Sequence, residues 1–285
     1  MFNSTVLEVA VGLVFCFSAV SLIVSSINEG IASFLALRGK YLLNALKTLL
    51  NAPSANGLVL DLYNHARFNP GGSGMATNLK QLRSLPSYVE PRQFAVALAE
   101  VLQLKSATPG DLLAAIQSIP DLPLRQVMLS MYQRAGGDLQ RFEAEVAYWF
   151  DRSMDRLAGA YKRTVQWWTL LIGLALAVAM NIDALHLFKV LWEHPALMGQ
   201  VDVTPLKDAH SAMDHLTVTS LPIGWERAPL IYANGVLSWT YSADQLAQMA
   251  AGWAITASST LFGSPFWFDL LQKITNLRGT GSKVP

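Results

Sequence analysis

Three side chains that could bind a metal ion lie close together in the second half of the chain: His210, Asp214 and His215. On a helix, His210 and Asp214 would be four residues apart and share one face, as two ligands of a metal or the partners of an ion pair do. The ordinary composition of a solvated segment explains the same residues. Two or three ligands do not define a cofactor, so none is predicted, and a metal site stays open beside a polar surface.

A polar pair, Asn28 and Glu29, lies at the end of the first long apolar run. An ionisable side chain at membrane depth usually faces other helices or water, and it is then a candidate for ion or proton handling. The alternative is that the pair lies at the level of the lipid headgroups, near Arg38 and Lys40, where it pairs helices or is simply solvated. The sequence favours this second interpretation.

Small residues are concentrated near the C-terminal end of the chain, and three of them, Gly252, Ser259 and Gly263, follow one another at intervals of seven and four. In a helix with about 3.6 residues per turn they would lie near one stripe. Such a stripe lets a second helix approach closely, so it predicts an association surface within the chain or between subunits. After Pro265, an aromatic belt at the inner membrane surface is predicted from Phe266, Trp267 and Phe268.

Catalytic signatures are missing from the sequence, which has no nucleotide loop, zinc-protease helix or nucleophile elbow. The glycine-rich run at 71–74 lacks the Lys-Ser/Thr pair of a phosphate-binding loop, so a flexible linker is the better interpretation. Cys16 is the only cysteine, which excludes an intramolecular disulfide. The sequence therefore predicts no catalytic residue and a protein that is not an enzyme.

The elements that position these residues are built from an apolar composition. Of 285 residues, 52% are hydrophobic and 14% are charged, whereas a soluble domain carries about 25% charged residues. The mean hydropathy is positive. The net charge of +1 gives no case for binding nucleic acid. The predicted partner is the lipid bilayer.

Three segments are long and apolar enough to be transmembrane helices, which need roughly 20 such residues. They cover residues 6–32, 167–180 and 249–271; the second extends helically on both sides and the third is less hydrophobic. The predicted fold class is an all-α membrane protein with three transmembrane helices, a helical cytoplasmic domain and an ordered periplasmic loop.

Basic residues are distributed unevenly around these segments. No Lys or Arg precedes Arg38, so the first segment lacks the positive n-region of a cleaved signal peptide. Lys and Arg cluster after the first segment, before the second and after the third, while Lys189 is essentially alone near the opposite ends. The positive-inside rule then predicts an N-terminus outside and a C-terminus in the cytoplasm.

The predicted organisation has five parts. An N-terminal transmembrane helix at residues 1–37 is followed by a cytoplasmic helical domain at 38–163. The last helix of this domain has an apolar face at helical spacing and runs without a breaker into the second transmembrane helix at 164–182. A periplasmic loop covers 183–245. The third transmembrane helix and a cytoplasmic C-terminal segment cover 246–285.

Four groups of residues carry a resemblance that runs through the whole chain. They are Ser26-Ile-Asn-Glu-Gly30 with Leu37-Arg-Gly39, the runs 148–156 and 161–163, Leu221-Pro-Ile-Gly-Trp225, and the run 263–271 with Leu277-Arg-Gly279. In this order they resemble a family of bacterial inner-membrane proteins with no assigned activity. The resemblance implies a bacterial inner-membrane location and supplies no catalytic residues.

The expected function is a non-enzymatic scaffold or anchor subunit of a larger membrane assembly, because three spans are few for a self-contained transporter. One alternative is a channel or transporter subunit whose pore forms on oligomerisation, lined by Glu29, Ser258, Ser259 and Thr260. A weaker alternative is a membrane enzyme that uses the His/Asp cluster. Scaffold and channel alike require other membrane-protein subunits as partners, in a homo- or hetero-oligomer.

Overall fold

The computed structural model of the chain describes residues 5–52, 57–82, 84–106, 110–199, 206, 208–218, 221–225, 227, 229–233 and 236–279. The chain divides into two compact units. The terminal unit combines Met1–Ile31 with Thr164–Pro285, and the middle unit is Ala32–Arg163.

Helices dominate the described residues, and the fold belongs to the all-α class apart from one short hairpin. The helices are α1 Thr5–Phe34, α2 Leu37–Leu49, α3 Leu58–Asn64, α4 Pro91–Lys105, α5 Leu112–Gln117, α6 Leu122–Arg134, α7 Leu139–Ala179, α8 Ala184–Glu193, α9 Ala209–Val218, α10 Ala243–Ser259 and α11 Ser264–Gly279. Three 3-10 turns lie at Leu79–Gln81, Pro195–Gly199 and Thr260–Phe262, and the hairpin is formed by β1 Leu230–Ala233 and β2 Val236–Trp239.

Several helices of the middle unit begin where the sequence supplies a start signal. Pro91 takes the first position of α4, where its missing N–H removes no helical hydrogen bond. Asp111 accepts a hydrogen bond from the Ala114 backbone N–H at 3.0 Å and so caps α5. The side chain of Asp121 caps α6 in the same way.

The core of the middle unit joins α4 to the first part of α7. Phe94 stacks on Phe150 with 4.1 Å between the ring centroids, and Phe68 meets Phe94 edge-on at 6.4 Å. Phe142, Val146 and Phe150 are buried at intervals of four along α7. This is the apolar face that the sequence predicted for the helix.

The core of the terminal unit surrounds α1. Eight consecutive residues from Val14 to Ser21 are buried, so every side of the helix is covered over two turns. The side chains packed around α1 come from the end of α7 and from later elements, and they include Ile182, Leu187, Leu191, Ala212, Leu216 and Leu271. The most apolar helix of the chain is therefore enclosed largely by protein.

Among the described residues, α1 alone is long and apolar enough to cross a membrane by itself, and 67% of its most apolar stretch is buried within the protein. Helices α7 and α8 meet the same criteria only as a pair, and they are bent by 53° at the break between them. The described residues thus contain one membrane-length apolar helix, or two if the bent pair crosses as one span.

The predicted third transmembrane helix, within 246–285, is wrong as a continuous helix. Helix α10 ends at Ser259, a 3-10 turn follows, and Gly263 has a φ of 77° before α11 begins at Ser264. Glycine reaches this left-handed conformation without a steric penalty, and Pro265 has no N–H with which to continue a helix. The count of three transmembrane helices is corrected to one or two. With the N-terminus outside, the predicted cytoplasmic C-terminus requires an odd number of crossings, so it is consistent with one crossing and not with two.

The segment predicted as a periplasmic loop, 183–245, contains regular structure in its described part. It holds α8, the 3-10 turn Pro195–Gly199, α9 and the hairpin. Strand β1 pairs antiparallel with β2, with Leu230 opposite Trp239 and Ala233 opposite Val236. Several side chains of this segment belong to the core around α1.

Candidate functional site

Asn28 joins α1 to α7 within the terminal unit. Its Nδ2 donates a hydrogen bond to Thr169 Oγ1 at 2.8 Å, and that hydroxyl donates to the carbonyl of Val165 at 2.9 Å. Glu29, the next residue of α1, is exposed. Of the polar pair, Asn28 makes the kind of contact expected of helix pairing, and Glu29 is not enclosed by other helices of the unit.

His210 and Asp214 share one face of α9, as their spacing predicts. His210 Nδ1 lies 2.9 Å from a carboxylate oxygen of Asp214, and the two side chains are 87% and 60% exposed. The His215 ring lies edge-on to Phe15 of α1, with 6.0 Å between the ring centroids. Within the described ranges, no group of three or more His, Cys, Asp or Glu side chains could hold a metal ion. The geometry is that of an exposed His–Asp pair on the helix surface, and surface pairs of this kind stabilise a fold little.

The start of α9 carries a further acidic residue, Asp208, in a hydrogen-bonded turn. Its Oδ1 accepts the backbone N–H of Ser211 at 2.8 Å, and this bond lowers the pKa of the Asp208 carboxyl below its ordinary value. A negative side chain at a helix N-terminus is favourable because it satisfies free N–H groups there. Asp208 therefore acts as a helix cap.

Gly252 and Ser259 of the predicted small-residue stripe are both buried inside the terminal unit. The Gly252 backbone lies so close to Asp183 that a Cβ atom at this position would be 1.6 Å from Asp183 Oδ1. Ser259 Oγ donates to the carbonyl of Thr256 at 2.7 Å, and the Ser259 carbonyl accepts a hydrogen bond from Trp267 Nε1 at 2.8 Å. These contacts lie within the chain.

The third residue of the stripe, Gly263, does not lie on the same helix. It follows the 3-10 turn that ends α10, and its left-handed φ changes the chain direction. A Cβ atom at Gly263 would have only Pro265 Cδ near it, at 3.7 Å. The alignment of Gly263 with Gly252 and Ser259 is therefore wrong, since it assumed an unbroken helix.

The three aromatic residues predicted as an interfacial belt lie on α11 and differ in their surroundings. Phe266 is 46% exposed and stacks on Phe262 with 5.1 Å between the ring centroids. Trp267 lies 5.0 Å from the ring of Phe17 of α1, and Phe268 packs against the core around α1. One of the three thus faces outward and two contribute to packing.

A polar junction that the sequence analysis did not predict lies where α7 ends; we define it by Asn181, Asp183, Trp225, Trp253 and Thr256. Asn181 has a φ of 48°, a left-handed conformation in which asparagine is enriched. Asp183 is only 7% exposed, and its Oδ1 accepts the backbone N–H groups of the first turn of α8 at 2.9 and 3.0 Å. Together they turn the chain out of α7 and start α8.

Hydrogen bonds from other elements hold this turn in place. Trp253 Nε1 of α10 donates to Asn181 Oδ1 at 3.0 Å, and Asn181 Nδ2 donates to the carbonyl of Gly224 at 2.8 Å. The Asn181 side chain therefore links α10 to the segment before the hairpin. Both ends of the half-buried Asn181 amide are therefore hydrogen-bonded.

Two carbonyls near the end of α7 accept hydrogen bonds from outside that helix. Trp225 Nε1 donates to the carbonyl of Ala179 at 3.2 Å, and Thr256 Oγ1 donates to that of Ile182 at 2.8 Å. A helix end leaves such carbonyls without intrahelical partners. The polar junction thus supplies hydrogen-bond partners to a helix break inside an apolar unit.

The comparisons with known proteins return no relative: no protein-family model, curated protein or solved structure matches the chain. The enclosed α1 is the described feature that bears most on function.

Proposed function

We propose that the chain is a non-enzymatic anchor or scaffold subunit of the bacterial inner membrane. In this proposal α1 crosses the bilayer with its N-terminus outside, and the bent pair α7–α8 forms the second crossing. The middle unit lies in the cytoplasm, as the basic residues after α1 and before the apolar half of α7 favour. The bacterial location rests on the family resemblance of the sequence.

The observation that carries the proposal is an exposed apolar stripe on α7. Trp167, Trp168, Leu171 and Leu174 are all exposed, Trp167 by 67%, and they follow the spacing of one helix face. The other face of this part of α7 packs inward through Ile172 and Leu176. A helix that is apolar on both its inner and its outer face is typical of a lipid-exposed helix, because in water the outer face would be polar.

Exposed apolar side chains continue on other elements of the terminal unit. On α8, Phe188 and Trp192 stack on one another with 5.7 Å between the ring centroids, and both are exposed. Ile255 on α10 and Leu261 and Phe262 in the following 3-10 turn are exposed as well. A surface of this kind supports a unit whose surroundings are lipid, with α1 held inside a cluster of helices.

The channel alternative fits the geometry less well. Ser259 and Thr260 are buried, and their hydroxyl groups donate to the carbonyls of Thr256 and Ala257 at 2.7 and 2.6 Å. Ser258 lies on the exposed face of α10, away from its two neighbours. The residues named for a pore therefore do not share one face. The membrane-enzyme alternative would need an enclosed catalytic site at the His/Asp cluster, but His210 and Asp214 are exposed on the surface of α9.

The test compares two leucines of equal exposure. Leu171 on the α7 stripe and Leu122 in the middle unit are each 52% exposed. An acidic residue at the centre of a span costs about 2.5–3.5 kcal/mol of insertion free energy, whereas a surface substitution in water costs less than about 0.5 kcal/mol. We expect Leu171→Asp to lower the amount of full-length chain that resists alkaline extraction from bacterial membranes, and Leu122→Asp to leave it unchanged.

Two results would contradict the proposal. One is release of the wild-type chain by alkaline extraction, which would make it a soluble or peripheral protein. The other is equal behaviour of the two aspartate variants, which would mean that the α7 stripe does not face lipid. Immunoblotting of membrane and supernatant fractions measures both.

A further inference from the structure

A groove of about 670 Å³ lies on the middle unit, between the end of α6 and the outer face of α7. Its apolar lining comes from Tyr148, Trp149 and Met131, of which Met131 is only 3% exposed. Three arginines and one glutamate provide its charges, so the groove is basic overall. Tyr148 is 62% exposed at the rim, and its hydroxyl accepts a hydrogen bond from Arg152 Nε at 3.2 Å.

The α7 side of the groove is a single stripe of the helix. Glu145, Tyr148, Trp149, Arg152 and Arg156 follow one another at intervals of three, one, three and four residues. These intervals bring the five side chains to one face. The buried residues of the same stretch fall between them and face the core, so the stripe is the outer surface of a packed helix.

The arginines of the groove differ in how they are paired. Arg134 forms a salt bridge with Glu145, with 2.9 Å between nitrogen and oxygen. Arg152 lies over the Tyr148 ring, 5.3 Å from its centroid, and Arg156 donates to Ser153 Oγ at 3.0 Å. In the part of the chain that the structure describes, neither Arg152 nor Arg156 has a carboxylate within salt-bridge distance. The carboxylates of Asp151 and Asp155 act on Arg152 through their charge, from beyond salt-bridge distance. The hydrogen-bond partners of the two guanidinium groups are neutral, so both keep N–H groups for an external anion.

We infer that this groove binds an acidic, amphipathic segment of a partner protein. The inference rests on the proposed anchoring function. It adds the surface through which the anchor would bind its partner protein. Carboxylates of the segment pair with Arg152 and Arg156 in the two-pronged geometry that guanidinium groups favour. Its apolar side chains cover Tyr148 and Trp149. Tyrosine, tryptophan and arginine are the residues that most often dominate binding energy at protein interfaces.

The same residues favour a protein segment over a lipid headgroup or a nucleic acid. Glu145 is paired with Arg134, and its carboxylate limits how many negative groups the groove can take, which favours a mixed segment over a dense polyanion. The exposed Tyr148 and the partly buried Trp149 favour a partner with apolar side chains, which a phosphate group does not have. The chain as a whole has a net charge of only +1.

The inference can be tested on the full-length chain in nanodiscs of phosphatidylcholine. The probe is a labelled helical peptide of about 18 residues, with glutamates on one face and leucines and alanines on the other. A second peptide has glutamine in place of every glutamate. Fluorescence anisotropy measures both, with empty nanodiscs as the blank. We expect the glutamate peptide to bind at least about tenfold more tightly than the glutamine peptide.

Paired variants locate the binding to the groove. The double variant Arg152→Gln and Arg156→Gln removes two charges. It should lower the affinity for the glutamate peptide by about tenfold or more. The matched control removes two charges elsewhere on the middle unit, at the exposed Lys80 and Arg92, and should leave binding unchanged. Tyr148→Ala should lower the affinity for both peptides, because in the proposed complex the Tyr148 ring contacts the apolar face that the two peptides share. Helix content measured by circular dichroism confirms that each variant is folded.

Three outcomes overturn the inference: equal binding of the two peptides, no effect of the paired arginine variant, or an equal effect of the control variant. If short-chain phosphatidylglycerol binds in an arginine-dependent way and the peptides do not, the groove is a lipid site and the inference is wrong. None of these outcomes affects the result of the alkaline-extraction test on Leu171→Asp. Failure of the groove is therefore distinguishable from failure of the anchoring function.

Discussion

At the level of single residues, a close backbone approach holds α8 against α10. Gly252 leaves the space that the buried Asp183 carboxylate occupies, and that carboxylate caps α8 through two backbone N–H groups. Thr256, one turn after Gly252, donates to the carbonyl next to Asp183. Glycine is therefore required at position 252 so that the Asp183 carboxylate can take its place in the polar junction.

Gly252→Ala should destabilise the protein because its Cβ would overlap the Asp183 carboxylate. Relief of the overlap requires loss of the α8 cap or separation of α8 from α10, and overpacking of this kind costs about 1–3 kcal/mol. The control is Gly30→Ala, a helical glycine of α1 around which a Cβ has no atom within 4 Å. It should be neutral or stabilising by up to about 1 kcal/mol. Thermal unfolding in detergent measures both, and equal melting temperatures would show that the close approach is not a constraint.

At the level of elements, α1 and α7 are linked by a side-chain hydrogen bond as well as by packing. Asn28 donates to Thr169, and Thr169 in turn donates to its own helix, so the bond is anchored on both sides. Interhelical hydrogen bonds of this type contribute modestly in membranes, and close packing contributes the rest.

A double-mutant cycle with Asn28→Ala and Thr169→Val should give a coupling free energy of about 0.6 kcal/mol, the average for such bonds in a membrane protein. The measurement is the free energy of unfolding in mixed micelles. The matched control is a second double-mutant cycle at the neighbouring residue, in which Glu29→Gln is combined with Thr169→Val. These two changes should be additive, since Glu29 is exposed. Equal coupling free energies in the two cycles would show that Asn28 does not link α1 to α7 specifically.

Local patterns in the sequence were enough to place several elements. Pro91 marks the start of α4, and the regular apolar spacing after Leu139 indicated a helix that continues to Ala179. The break at Gly263 also has a local signal, because a glycine two residues before a proline favours a turn. An average of hydropathy over about 20 residues conceals that signal, and the third span was predicted across it.

The polar junction had a weaker local signal. Asp183 precedes an apolar helix and matches the pattern of an N-cap, which could have placed the start of α8. Its contact with Gly252 could not be predicted, because the two residues are far apart in the sequence and no local pattern records which glycine a carboxylate will meet. The same applies to Asn181 and Trp253, whose hydrogen bond depends on the packing of two elements.

At the level of the whole molecule, two units of different character share one chain. The middle unit has an aromatic core around Phe94 and Phe150 and a groove whose charges are arginines and a glutamate. The terminal unit encloses α1 and has exposed tryptophan, phenylalanine and leucine side chains. This difference is expected if water surrounds the first unit and lipid much of the second.

The proposed topology places α9 outside and the middle unit in the cytoplasm. In a Cys16→Ser background, His210→Cys on α9 should react with a membrane-impermeant thiol reagent in intact spheroplasts, since the His210 side chain is 87% exposed. Ser118→Cys, at an exposed position of the middle unit, should react only after the membrane is permeabilised. Gel-shift labelling measures both. Labelling of Ser118→Cys alone in intact spheroplasts would reverse the orientation.

The enclosure of α1 has a consequence for the synthesis of the chain. Its partner Leu271 follows it by about 250 residues, and at a translation rate of about 5–20 residues per second this separation corresponds to roughly 10–50 s. During that time the side chains that cover α1 are still being added, from Ile182 onward to Leu271. Ser18 donates its hydroxyl to the carbonyl of Val14 in the same helix, so this polar group needs no later partner. The helix at the centre of the terminal unit is thus synthesised well before the side chains that complete its enclosure.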